Sequence, residues 1–137
     1  MSDRAENAEL NQILLNAIDD LKGRDVVTLD VRELSDVMDT LIIVSGTSNR
    51  HVKSLADNAV ENAKKAGFKP LGVEGKEGGE WVLVDFGDTV VHAMMPATRS
   101  FYDLEKLWSL EPGVRGKDNS GAQSADARST DNRRAGK

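Results

Sequence analysis

Apolar residues first recur at helical spacing in the segment holding Leu10, Ile13, Leu14, Ala17, Ile18 and Leu21, which fall on one face of a helix. Gly23 follows where a left-handed C-cap is wanted. Val26 to Val31 is rich in β-branched residues, and Thr40 to Ser45 repeats that character after an Asp- and Ser-containing connection, so both predict strands. A second helix starts near Ser48, a good N-cap, and aligns Val52, Leu55, Ala56, Ala59, Val60 and Ala63 before Gly67 stops it. Its other face, with Lys53, Asp57, Asn58, Glu61 and Lys65, is expected to be wet. Phe68 to Val73 gives a short strand, and Pro70 assigns it to an edge because proline cannot donate to the ladder.

After the polar Gly75 to Gly79 turn, Trp81 to Phe86 and Thr89 to Met94 flank Gly87 and Asp88, which suit a two-residue type II′ hairpin turn. That turn sets a register in which Trp81 opposes Met94, Val82 Ala93, Leu83 His92, Val84 Val91, Asp85 Val90 and Phe86 Thr89. One face of the hairpin then carries Val82, Val84, Phe86, Val91 and Ala93 and belongs against the helices. The other is mixed, with Trp81, Leu83, Asp85, Val90, His92 and Met94, a composition that fits either a second buried layer or an aromatic-anchored binding patch. A last helix from about Pro96 to Trp108 puts Phe101, Leu104, Leu107 and Trp108 on one stripe, where Trp108 is expected in the core. From Glu111 on, apolar side chains almost vanish and neither period is present, which predicts a disordered polar tail over 111–137 after an α/β domain over 1–110.

The 137 residues suit one small domain, and only 4% of them are aromatic, so each ring counts for much of the buried apolar area. Cysteine is absent, which removes disulfides, thiolate metal sites and a cysteine nucleophile. Neither a signal peptide nor a run of ~20 apolar residues is visible, so a soluble protein is expected. The net charge of −5 hides an asymmetry: 112–137 carries six basic and three acidic residues, leaving −8 on the rest. An acidic body disfavours phosphate-backbone binding and suits a basic protein partner.

Chemistry is thinly represented. Gly46-Thr47-Ser48 lies between a strand and a helix; the turn-and-cap reading is preferred to anion binding, because neither a Walker lysine nor a Gly-x-Gly-x-x-Gly accompanies it. Asp36 with Asp39 and Asp85 with Asp88 are carboxylate pairs that could in principle hold Mg²⁺, but Asp36 and Asp39 precede a strand in a loop and Asp88 lies in the hairpin turn, so the loop-and-turn reading is preferred. His51 and His92 are not spaced as zinc ligands. His51 is read as a solvated or capping residue, and His92 either as a hydrogen-bonding group at an interface or as a core histidine satisfied by Asp85. Trp81 fits burial against a partner as well as burial in the fold.

Asp20-Leu21-Lys22-Gly23, Ser45-Gly46-Thr47-Ser48-Asn49-Arg50-His51-Val52, Leu71-Gly72-Val73-Glu74-Gly75, Trp81-Val82-Leu83-Val84-Asp85-Phe86-Gly87-Asp88 and Leu104-Glu105-Lys106-Leu107-Trp108-Ser109 together resemble the Iojap or RsfS family of ribosomal silencing factors. The resemblance runs in order from about Leu10 to Ser109, with the tail outside it. It implies a single α/β domain, a mixed sheet of about five strands packed with helices, of a nucleotidyltransferase-like type that has lost catalysis. It further implies a cytoplasmic, cofactor-free, metal-free adaptor that binds ribosomal protein L fourteen, blocks joining of the small subunit, represses translation under nutrient limitation and self-associates. DNA and membranes are not expected partners, and contact with rRNA is at most weak. Carried onto this chain, the partner surface would comprise Trp81 as anchor, Leu83 and Met94 as apolar packing, Asp85 for a basic group, His92 for a hydrogen bond and Tyr102 at the edge. The alternative is a nucleotide-binding or nucleotidyltransferase enzyme using the Gly46 to Ser48 turn.

Overall fold

The computed structural model describes residues 2–109, so the tail expectation lies outside the described residues. The elements are α1 (Ser2–Asp20), β1 (Arg24–Asp30), β2 (Thr40–Ser45), α2 (Asn49–Lys65), β3 (Gly72–Glu74), β4 (Trp81–Asp85), β5 (Thr89–Met94), α3 (Pro96–Tyr102) and α4 (Leu104–Ser109). The strands form one sheet in the order β1-β2-β5-β4-β3, antiparallel except for the central β2–β5 pair. Parallel central strands have both faces covered, which is why β2 is an uninterrupted apolar run with Leu41, Ile42, Ile43 and Val44 all fully buried. The polar and irregular sequences fall to the edges: β3 is exposed throughout, and β1 is bulged between Arg24 and Val27 with Asp25 at φ 52°.

Both long helices lie on one face of the sheet. Leu10, Leu14 and Ile18 from α1 and Val52, Leu55, Ala56, Ala59 and Ala63 from α2 pack with Ile42, Val44, Val82, Val84, Val91 and Ala93, and Phe86 joins from the margin. The face predicted to be apolar is therefore the core face. The alanines of α2 let the helix approach closely, and Asn58 ties it to α1 by donating from Nδ2 to the Ala17 carbonyl at 2.8 Å.

Several local expectations change. Helix α1 does end near Gly23, but Lys22 takes the left-handed conformation at φ 60°, while the N–H groups of Lys22 and Gly23 bond the Asp19 and Ile18 carbonyls in a Schellman pattern. Gly23 is needed for closeness instead, since a Cβ there would run into Ile18 and Val44. Leu21, assigned to the apolar face, is exposed because the helix has already ended. The helix expected from Pro96 to Trp108 breaks at Asp103, whose φ of 50° is a conformation Asp tolerates better than most residues. A second unit begins there, and Leu104, Leu107 and Trp108 belong to it. Phe101, set on that stripe, is 80% exposed.

Candidate functional site

The β4–β5 hairpin carries the register set by its turn: Trp81 opposes Met94, Val82 Ala93, Leu83 His92, Val84 Val91 and Asp85 Val90. Gly87 supplies the positive φ, 96°, and the Phe86 N–H bonds the Thr89 carbonyl at 2.9 Å. The alternation of the strands then sends Trp81, Leu83 and Asp85 to the face opposite the two long helices, together with His92 and Met94.

On that face the residues are not equivalent. Met94 is fully buried and His92 nearly so, at 8% exposure, whereas Trp81, Leu83 and Asp85 are half-buried. The Trp81 indole donates from Nε1 to His92 Nδ1 at 2.8 Å, with the two ring centroids 5.8 Å apart. Tyr102, brought over the sheet by α3, sets its ring centroid 4.7 Å from that of Trp81, and Phe101 meets Tyr102 edge-on at 4.9 Å. Under this stack α3 is fastened by Arg99, itself buried, whose Nη1 donates to Ser45 Oγ at 2.9 Å. The product is a continuous aromatic surface in which Tyr102 is 53% exposed.

Two assignments are corrected by these contacts. His92 is satisfied by Trp81 and not by Asp85, whose Oδ1 accepts the Gly87 N–H at 2.7 Å and braces the turn. Met94 has no surface to offer a partner, so its part is to pack within the fold beside Trp81, its cross-strand neighbour. Phe101 and Arg99 were missed. The stripe that aligned Phe101 with Trp108 presupposed an unbroken helix, and nothing in the spacing of Ser45 and Arg99 signals their contact across 54 positions.

Burial drives the pKa of His92 down to about 4, because an imidazolium there would lose its hydration. A neutral ring is also the form that leaves Nδ1 free to accept from the indole. His51 is likewise built in. Its Nδ1 accepts the Thr47 N–H at 2.9 Å and its Nε2 reaches the Leu21 carbonyl at 2.7 Å, pinning the start of α2 to the end of α1. Ser48 caps α2 as expected, its Oγ accepting the His51 N–H at 3.0 Å. The N–H groups of Gly46 and Thr47 are thus bonded to the Met94 carbonyl and to His51, which leaves the Gly46 to Ser48 turn a structural junction.

Elsewhere, a cleft of about 300 Å³ between α1 and β1 is lined by groups already paired, Asn7 with Asp39 and Arg32 with Asp30. Another of about 460 Å³ between α2 and β3 is crossed at its rim by the Lys76–Asp57 ion pair at 2.7 Å. Among the described residues no three His, Cys, Asp or Glu side chains gather as metal ligands, and no helix is long and apolar enough to cross a membrane.

The family model of the ribosomal silencing factor during starvation matches residues 4–137. The chain belongs to the ribosomal silencing factor family. The match extends past Ser109, where the motif resemblance stopped. A ribosomal silencing factor of Chromobacterium violaceum is 46% identical over 103 residues, covering 75% of this chain and 84% of that protein. A crystal structure from the same organism superposes with a TM-score of 0.74 at 43% identity over 80% of this chain and 92% of the other. A mouse protein named for mitochondrial assembly of the ribosomal large subunit is 37% identical over 101 residues, 72% of this chain but 44% of that protein. Membership associates this chain with the ribosome and with repression of translation.

Proposed function

We propose that this family member is a non-catalytic, cytoplasmic adaptor on a nucleotidyltransferase-like framework. It docks on ribosomal protein L fourteen of the large subunit through the Trp81–Tyr102 surface, sterically excludes the small subunit and so represses translation when nutrients are short. The observation that carries this reading is the half-buried Trp81 ring packed against the exposed ring of Tyr102, which the exposed Phe101 in turn meets edge-on, since rigid aromatic groups of this kind anchor protein interfaces. Asp85 and Leu83 lie on the same strand, so a basic side chain of the partner meets a carboxylate while the rings bury its apolar neighbours. The mouse relative's name, which refers to large-subunit assembly, points to the same half of the ribosome.

Sucrose-gradient sedimentation tests the proposal. The protein is expected with free large subunits and absent from small subunits and translating ribosomes. Trp81→Ala should lower affinity for large subunits by about thirtyfold, the effect of losing an anchor worth ~2 kcal/mol. Equal recovery with every ribosomal species, or unchanged affinity of the Trp81 variant, refutes the docking surface. Self-association, which the resemblance also implies, is measured separately by sedimentation equilibrium of the free protein.

A further inference from the structure

We infer that His92 is a positioning residue for the anchor tryptophan: its Nδ1 fixes the Trp81 indole in the orientation that presents the ring, packed against Tyr102, to the partner. The inference rests on the reading of this face as the docking surface. In the antiparallel register Leu83 faces His92 and Trp81 faces Met94, so Trp81 and His92 are diagonal neighbours, within reach of each other for long side chains. Their 2.8 Å hydrogen bond uses the indole's one donor. The indole is thereby held between two constraints, the bond to His92 on one side and the Tyr102 ring at 4.7 Å on the other.

His92 itself is almost wholly covered, so its effect on a partner passes through Trp81. An apolar side chain in its place leaves a half-buried indole N–H without an acceptor, and the ring must turn towards water to recover one. That turn separates it from Tyr102 and breaks the continuous surface. The depressed pKa of His92 keeps the acceptor available across the ordinary pH range. Holding the ring before encounter saves the entropy of fixing it on binding.

The test compares His92→Leu, His92→Asn and Trp81→Ala in the full chain. Affinity for purified large subunits, denaturant stability and the indole N–H resonance of Trp81 are measured, with Trp108 as the internal reference. Asparagine places a carbonyl oxygen near the Nδ1 position and is expected to keep affinity within about threefold, with the indole resonance still hydrogen-bonded. Leucine is expected to move that resonance to the position of a water-exposed indole and to cost about tenfold in affinity. Should the leucine variant not fold, His92→Gln, whose polar end lies one bond farther out, replaces it in the comparison with asparagine. If Trp81→Ala binds like the unmodified protein, the docking surface itself is misassigned. If Trp81→Ala weakens binding while His92→Leu binds normally, or if asparagine loses as much as leucine, the positioning role is overturned and the surface stands.

Discussion

Lowering the pH should destabilise this protein through His92 before its carboxylates are fully protonated, and the size of the effect follows from one buried ring. The folded state holds the His92 pKa at about 4 against an ordinary value near 6.5, because burial penalises the charged ring. Between those values the unfolded chain binds a proton that the folded chain does not, so stability falls as pH drops through 6.5 and stops falling from this source below 4. From pH 7.5 to 4.5 the loss is about 2.5 kcal/mol, and from 7.5 to 5.5 about 1.4 kcal/mol. The assay is guanidinium unfolding across that range on the unmodified protein and on His92→Asn, which retains an acceptor but does not titrate. The other ionisable groups around this face, among them Glu74, Asp85, Arg99 and Tyr102, are common to both proteins and cancel in the comparison. The stability of the unmodified protein should decline more steeply, by about those amounts, and parallel pH profiles would refute the lowered pKa of the buried ring.

Other consequences are as direct. Met94→Ala should cost about 2–5 kcal/mol of stability by denaturant titration, because the side chain is fully buried, while the folded fraction binds large subunits with nearly unchanged affinity. Gly75→Ala should be destabilising by more than about 1 kcal/mol and should also shift the Trp81 indole resonance. Gly75 has φ 90°, and a Cβ there would strike the Trp81 carbonyl. Ser48→Ala removes the cap of α2 and should lower stability by about 1 kcal/mol, with no change in ribosome affinity. Deleting 112–137 should leave the melting temperature in place, since the core residues of the sheet and its two long helices run from Leu10 to Ala93; a fall of several degrees would show that the deleted residues contribute to the fold.

The sequence by itself determined what local chemistry can determine. The period of α2 and its Ser48 cap, the unbroken apolar run of β2 and the Gly87-Asp88 turn each bias the chain without help from distant residues, and the turn fixed the hairpin register and with it the two faces. The order of the motifs also pointed to the family. Tertiary structure alone decided which members of the mixed face are accessible, because exposure depends on what lies above each side chain and not on strand alternation. Met94 and His92 alternate correctly and are nonetheless covered, while Phe101 lies on a helical stripe and is bare. The bond between Trp81 and His92, the Arg99 contact that seats α3 on Ser45 and the His51 link between two helices each join residues distant in sequence. A periodic pattern records which way a side chain points from its own backbone, and it carries no information about the partner that the folded chain brings to meet it.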